Sequence, residues 1–457
     1  MTIGWKQAAL NQSYAWPNGH LSATHYEVNM NKNIHIFGGG TVSYVSSHLA
    51  LSAPAYGSTA RKIADFCRQR FDGKLDIQLE LTNMALGGHG PLNTVEDISN
   101  RVDQLIESPL TKIIFFSCAI VDYTPSDVSM YTNDLEWSWA QLITKCGKYE
   151  SRIDSRKFPE ISIDAYKSQK IISNIRKERK DIFLVGFKTT CGLTDHGMYL
   201  KGLKLCKESS CNLVLVNDVK RRHNMIITPE EAAYCETGDR EKVLSELVDM
   251  AYHRSHLSFT RSTVVSGDPV PWSDERVPES LRTVVDYCIS SQAYKPFNGA
   301  TVGHFACKLS DTEFLTSIRK SNFNDLDKNG LVYVKTDGPD SVLAYGAKPS
   351  VGGQSQRIIF SDHSEADCVV HFHSPLKDGH TDDIPIVSQR EVECGSHECG
   401  KNTSNNLKQF GNLKCVMLDN HGPNIVFNRS INPKEVIDFI SRNFELSEKT
   451  GGYLLET

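Results

Sequence analysis

The chain has 457 residues, 39% hydrophobic and 23% charged, with a formal net charge of -5. That length supports two or three domains, and the composition excludes a disordered chain. Lys and Arg are spread without the basic stripe that nucleic-acid binding needs, and no apolar run approaches the roughly 18 residues of a membrane span. The 13 cysteines are odd in number and follow no framework spacing. They read as free thiols of a protein in the reducing cytoplasm, with Cys394 and Cys399 close together only incidentally. Residues 1–32 have no periodicity and no hydrophobic signal core, so they read as an N-terminal extension.

Asn33-Ile34-His35-Ile36-Phe37 is a short apolar strand that runs into Gly38-Gly39-Gly40-Thr41. A strand, a glycine turn and then a helix can cradle a phosphate, because backbone N–H groups and a helix N-terminus face the anion. Ala60 to Arg70 reads as the helix. Further strands are expected at Lys112–Ser117, Asp181–Phe187 and Asn212–Asp218, separated by helices at Ile98–Ile106, Gln169–Arg179 and Gly197–Ser209. Alternating strands and helices predict a doubly wound α/β domain with a parallel sheet. Ligands of such sheets sit at the carboxyl ends of the strands, here Gly38–Thr41, Ala119–Tyr123, Gly186–Thr190 and Asn217–Val219.

Gly39-Gly40-Thr41, Ala119-x-x-Asp122-Tyr123, Lys167-x-x-Lys170-Ile171-Ile172, Val185-Gly186-Phe187 and Asn212-Leu213-x-x-x-Asn217-Asp218-Val219 occur in one order. In that order they resemble the phosphopantothenoylcysteine synthetase family, the second half of the coenzyme A flavoprotein. The resemblance spans residues 33–255. It implies an NTP-dependent carboxylate–amine ligase using CTP or ATP with Mg2+. It implies nucleotide binding by Gly38, Gly39, Gly40, Thr41, Ala119, Asp122, Phe187, Asn217 and Asp218, with Arg152 and Lys157 in the region that faces the triphosphate. The family's Asn-x-Ser-Ser-Gly loop has no counterpart: Ala50 to Gly57 stands in its place.

Residues 256–278 are rich in Ser, Thr, Gly and Pro, which is linker composition. Ser280 to Gln292 then reads as a helix, and the remainder as short strands with tight turns, an α+β domain over 279–457. Within it lies Val369-Val370-His371-Phe372-His373. Side chains at i and i+2 of a strand share a face, so His371 and His373 can reach one point. His421 follows a second apolar run in Leu418-Asp419-Asn420-His421-Gly422. Three imidazoles at two strand ends suit a catalytic zinc site with an open position.

Pro349-Ser350, Glu365-Ala366-Asp367, His371-Phe372-His373, Gly395-Ser396 and Asn420-His421-Gly422 stand at the spacing of class II aldolases and adducin heads, which this region resembles over about 280–450. The resemblance implies a Zn2+ ion, or another divalent metal, held by His371, His373 and His421 and acting as a Lewis acid that stabilises an enediolate. It implies phosphate binding by Gly303, Ser317 and Ser350. Val351 and Gly352 occupy the positions of the family's second serine and its acid–base glutamate, and neither can transfer a proton. Substitutes are Glu365, Asp362, His363 or a neighbouring subunit's tyrosine. His304 replaces an Asn and is either a group that titrates near neutrality or a packed polar residue.

These readings lead to one expectation: a cytoplasmic homo-oligomeric enzyme of coenzyme A-like or related metabolism, without nucleic-acid or membrane partners. It would join the ligase-like half to a zinc-dependent lyase, epimerase or dehydratase half acting on a small phosphorylated or hydroxy-carbonyl metabolite. The alternative is a non-catalytic adducin-like binding and oligomerisation head fused to a nucleotide-sensing domain.

Overall fold

A computed structural model describes residues 32–71, 73–132, 141–350, 353–380 and 382–455. The expected extension at 1–32 therefore lies almost wholly outside the described residues, as do Val351 and Gly352. The N-terminal half is built on a seven-stranded sheet. In spatial order its strands are Ala233–Thr237, His223–Ile227, Leu213–Asp218, Phe183–Thr190, Thr111–Phe116, Asn33–Gly38 and Asp76–Leu81. The last five are parallel and the first two antiparallel. The predicted strands are the inner ones, whose apolar runs are covered on both faces. Asp76–Leu81 escapes a hydrophobicity reading because it is the edge strand and alternates Asp, Gln and Glu with apolar residues.

Helices cover both faces. Val95–Glu107 starts earlier than its apolar pattern suggests because Thr94 and Asp97 cap each other reciprocally. The glycine turn differs from expectation. It leads into a hairpin, Val42–Ser46 with Leu49–Ser52, and the helix begins only at Ser58. The alternating Val-Ser-Tyr-Val-Ser run prefers a strand. Gly38 instead serves helix packing: a Cβ there would sit 2.3 Å from the Cβ of Ala60. A separate three-stranded sheet, Tyr123–Tyr131, Gln141–Lys145 and Glu160–Lys167, was not foreseen.

The C-terminal half is a ten-stranded, mainly antiparallel sheet. Its centre runs Glu313–Ser317, His304–Lys308, Cys368–His371, Gly422–Phe427 and Leu413–Leu418. Helices Glu279–Ser290 and Pro433–Asn443 pack together and share one apolar core with Phe305, Val370 and Phe427. The expected linker is part of this fold. Arg261–Val265 forms an edge strand parallel to Ser341–Tyr345, Val270 bridges Leu331, and Trp272 and Val277 are core residues. Polar composition there reflects an exposed edge strand rather than a loose tether.

The two halves meet through buried polar contacts. Arg254, at the end of the last N-terminal helix, is fully buried and donates to Glu230 at 2.6 Å, to Gln389 O at 2.9 Å and to Arg390 O at 3.0 Å. Asn212 donates to Glu393 at 3.0 Å. The C-terminal tail returns to the first half, where Tyr453 stacks on Tyr199 at 4.7 Å and Leu455 joins its core. Arg254→Met leaves Glu230 charged and buried, and it should cost about 3–5 kcal/mol. Urea denaturation should show that loss and its partial recovery on adding Glu230→Gln.

Candidate functional site: three imidazoles in an inter-half cavity

His371 is the last residue of a strand held on both sides. It lies opposite His304 in one neighbour and Asn424 in the other. His373, two residues on, keeps the same face. His421 comes from the tight turn joining Leu413–Leu418 to Gly422–Phe427, where Asn420 has φ 54°. Gly422 makes the approach feasible: its φ is 148°, and a Cβ would stand 2.0 Å from Phe372 O. Ring centroids are 5.0 Å apart for His371 and His373 and 4.6 Å from each to His421.

The three side chains each present a ring nitrogen, all within 4.8 Å of one another. His371 donates Nδ1–H to Pro423 O at 2.8 Å, so its Nε2 carries the lone pair and has no partner. Nδ1 of His421 is likewise buried without a hydrogen-bond partner, and Nδ1 of His373 makes no hydrogen bond, although Oε2 of Glu231 stands 3.4 Å from it. Burial lowers the pKa of all three, to about 4 for His371 and well below the usual imidazole range for His373 and His421. Neutral, convergent, buried imidazoles have the donor chemistry that Zn2+ requires.

His304 stacks obliquely beside His371 at 4.7 Å and its Nδ1 accepts from Gln356 at 2.8 Å. Burial, then the His371 ring, push its pKa well down, so it does not titrate near neutrality. Glu365 sits at the other end of the His371 strand, exposed and paired with Lys414, while Asp362 and His363 bond Ser404. None of these three lines the cavity around the imidazoles; the turn that carries them faces away from it.

That cavity, of about 470 Å3, is lined by both halves. Gly303 and Ser350 line it, and Ser317 lies just behind, its carbonyl accepting from the Ser350 amide at 3.0 Å. Both serine hydroxyls lack partners. Arg319 and Lys320 stand exposed at its wall, a cationic pair the sequence displayed directly after Ser317. From the first half come Arg176, Lys207, Glu230 and Glu231. No local signal marked these, because only the packing of the halves brings them there.

The residues proposed for a nucleotide lie at the opposite edge of the seven-stranded sheet. Gly38, Gly39, Gly40 and Thr41 follow one strand and Ala119 and Asp122 the next. Phe187, Asn217 and Asp218 occupy the carboxyl ends of two more. Thr41 is buried, donating to Ala119 O and accepting from the Val121 amide. Asp218 is committed to its own loop: it accepts from Thr190 and from the amides of Gly192, Leu193, Lys220 and Arg221. Asn217 accepts from Thr189 at 3.4 Å. Arg152 and Lys157 are exposed on the segment before Glu160–Lys167.

Comparison with known proteins places the second half. Residues 283–432 match the class II aldolase and adducin N-terminal domain family. No curated protein matches the chain by sequence. Among solved structures, the DNA/pantothenate metabolism flavoprotein from Streptococcus pneumoniae is 19% identical, with 49% of this chain and 100% of that one covered and a TM-score of 0.38. The C-terminal domain of the coenzyme A biosynthesis bifunctional protein CoaBC is 15% identical, covering 48% and 91%, with a TM-score of 0.33. An L-fuculose 1-phosphate aldolase is 13% identical, covering 38% and 85%, with a TM-score of 0.28. Among the described residues no helix is long and apolar enough to cross a membrane.

The lowered histidine pKa values set a pH dependence. In the metal-free chain these imidazoles are neutral when folded and charge near pH 6.5 when unfolded. The unfolded state thus binds more protons between about pH 4 and 6.5. Stability should be full above pH 6.5 and fall as the pH drops toward 4. His371→Gln should flatten that slope in urea midpoints measured across the range.

Proposed function

We propose that the chain is a metal-dependent enzyme that cleaves, epimerises or dehydrates a small phosphorylated or hydroxy-carbonyl metabolite in the cavity between its halves. The observation that supports this most directly is the convergence of the buried His371, His373 and His421 rings on that cavity, with one nitrogen of each within 4.8 Å of the others. A divalent ion held there, Zn2+ first, supplies Lewis-acid polarisation of substrate oxygens. The chain's own residues do the rest. Pro423 O fixes the tautomer of His371, and burial keeps the rings neutral and available as donors. Gly303, at φ 115°, leaves room beside His371 O that a side chain would take. The free hydroxyl of Ser350 and the cations Arg319 and Lys320 suit a phosphate.

Elemental analysis of the purified chain tests this. Near one zinc per chain is expected, and none in the His371→Ala/His373→Ala double variant. Sugar phosphates and related hydroxy-carbonyl compounds are then the substrates to screen. A wild-type chain without metal would sink the reading and favour a non-catalytic adducin-like head.

A second reading concerns the first half: CTP or ATP, with Mg2+, bound at the carboxyl edge of its sheet for carboxylate activation. It is supported by the small residues Gly39, Gly40 and Ala119, which face each other across the point where strand order reverses, as the Gly40–Ala119 bridge records. Calorimetric titration should give saturable binding of one of the two nucleotides, weakened at least about tenfold by Gly40→Val, since a Cβ at Gly40 would stand 1.9 Å from Ala53 O. No heat with either nucleotide removes this reading without touching the first.

A further inference from the structure

The strongest unexplained feature of the cavity is a carboxylate that belongs to the other half. Glu231 lies in the turn between His223–Ile227 and Ala233–Thr237 and is buried. Its Oε2 stands 3.4 Å from Nδ1 of His373. Among the described residues this is the one carboxylate within 4.0 Å of a nitrogen of any of the three rings. The aldolase-like half has Gly352 at the sequence position of the family's glutamate.

Glu231 is also held at a conformational cost. Its backbone is left-handed, φ 60°, a region that non-glycine residues avoid. Such strain persists only where the surroundings over-determine it, and here they do. Tyr199 Oη and Lys449 Nζ both donate to Glu231 O at 2.8 Å. Lys207 Nζ bonds Oε1, occupying one carboxylate oxygen and leaving Oε2 toward the imidazole. Lys449 belongs to the C-terminal tail, so both halves cooperate in aiming this side chain.

Resting on the metal reading above, we propose that the two halves form one composite site, in which Glu231 of the first half is the positioning residue for His373. An imidazole that ligates through Nε2 carries its proton on Nδ1 and needs an acceptor there. His371 has Pro423 O for this purpose. Oε2 of Glu231, 3.4 Å from Nδ1 of His373 and not hydrogen-bonded to it in this structure, is placed to become that acceptor when a metal is held on Nε2, fixing ring orientation and tautomer and raising the basicity of the donor nitrogen. The fusion of the halves is then a requirement of the histidine centre itself.

The test uses the full chain. Zn2+ affinity is measured by chelator competition in wild type, Glu231→Gln and Glu231→Ala, with circular dichroism of each to verify folding. Affinity should fall about 10-fold or more in the isosteric Gln variant and up to about 100-fold in the Ala variant. The visible absorption of the Co2+-loaded protein should shift in Glu231→Gln, a signature that a purely structural role would not produce. Tight metal binding in wild type with unchanged affinity and unchanged Co2+ spectrum in folded Glu231→Gln overturns the proposal and leaves the metal reading standing. No metal binding by wild type overturns both.

Discussion

A guanidinium and a carboxylate taken wholly out of water hold this molecule in its working shape. Burying either ion alone costs several kcal/mol. Arg254 and Glu230 are tolerated because their contacts come from both sides of one interface: the carboxylate from the first half, the carbonyls of Gln389 and Arg390 from the second. The planar fork of Arg reaches these acceptors in fixed directions, which Lys cannot imitate. The pair adds less to net stability than it adds to registry. It fixes which edge of the first sheet meets which loops of the second half.

Registry matters because the cavity has walls from both halves. The histidines come from strand ends of the second sheet, while Lys207 and Glu231 come from the amino-terminal edge of the first. Open parallel sheets usually bind ligands at the carboxyl edge. Here the amino edge walls the histidine cavity of the other half, and the carboxyl edge lies away from it. A six-residue strand such as Leu213–Asp218 spans roughly 20 Å, so the two edges are well separated. Asn212 at one end touches Glu393 of the second half, and Asp218 at the other organises the loop beside the nucleotide edge.

Much of the design was legible in the sequence. The apolar inner strands and the His-x-His pair follow from local periodicity, and His421 could be placed because a glycine follows it after a buried strand. Glu365 misled because nearness in sequence to a histidine strand says nothing about which end of that strand it occupies. Arg261–Val265 misled because this edge strand is exposed along nearly its whole length, and its Ser and Thr content read as a linker. Glu231 could not be found at all: its role is set by packing across the interface, which one-dimensional spacing does not encode.

The edge strand Arg261–Val265 carries a practical lesson about where the polypeptide can be divided. It precedes the helix Glu279–Ser290 that would naturally be chosen to begin an isolated second half. Starting there would strip Trp272 and Val277 from the core and expose the backbone groups of Ser341–Tyr345 along a bare sheet margin. Such a margin invites pairing between molecules. Anyone dissecting the chain should therefore expect insoluble fragments from a cut at the proline-rich stretch, and should study the halves together.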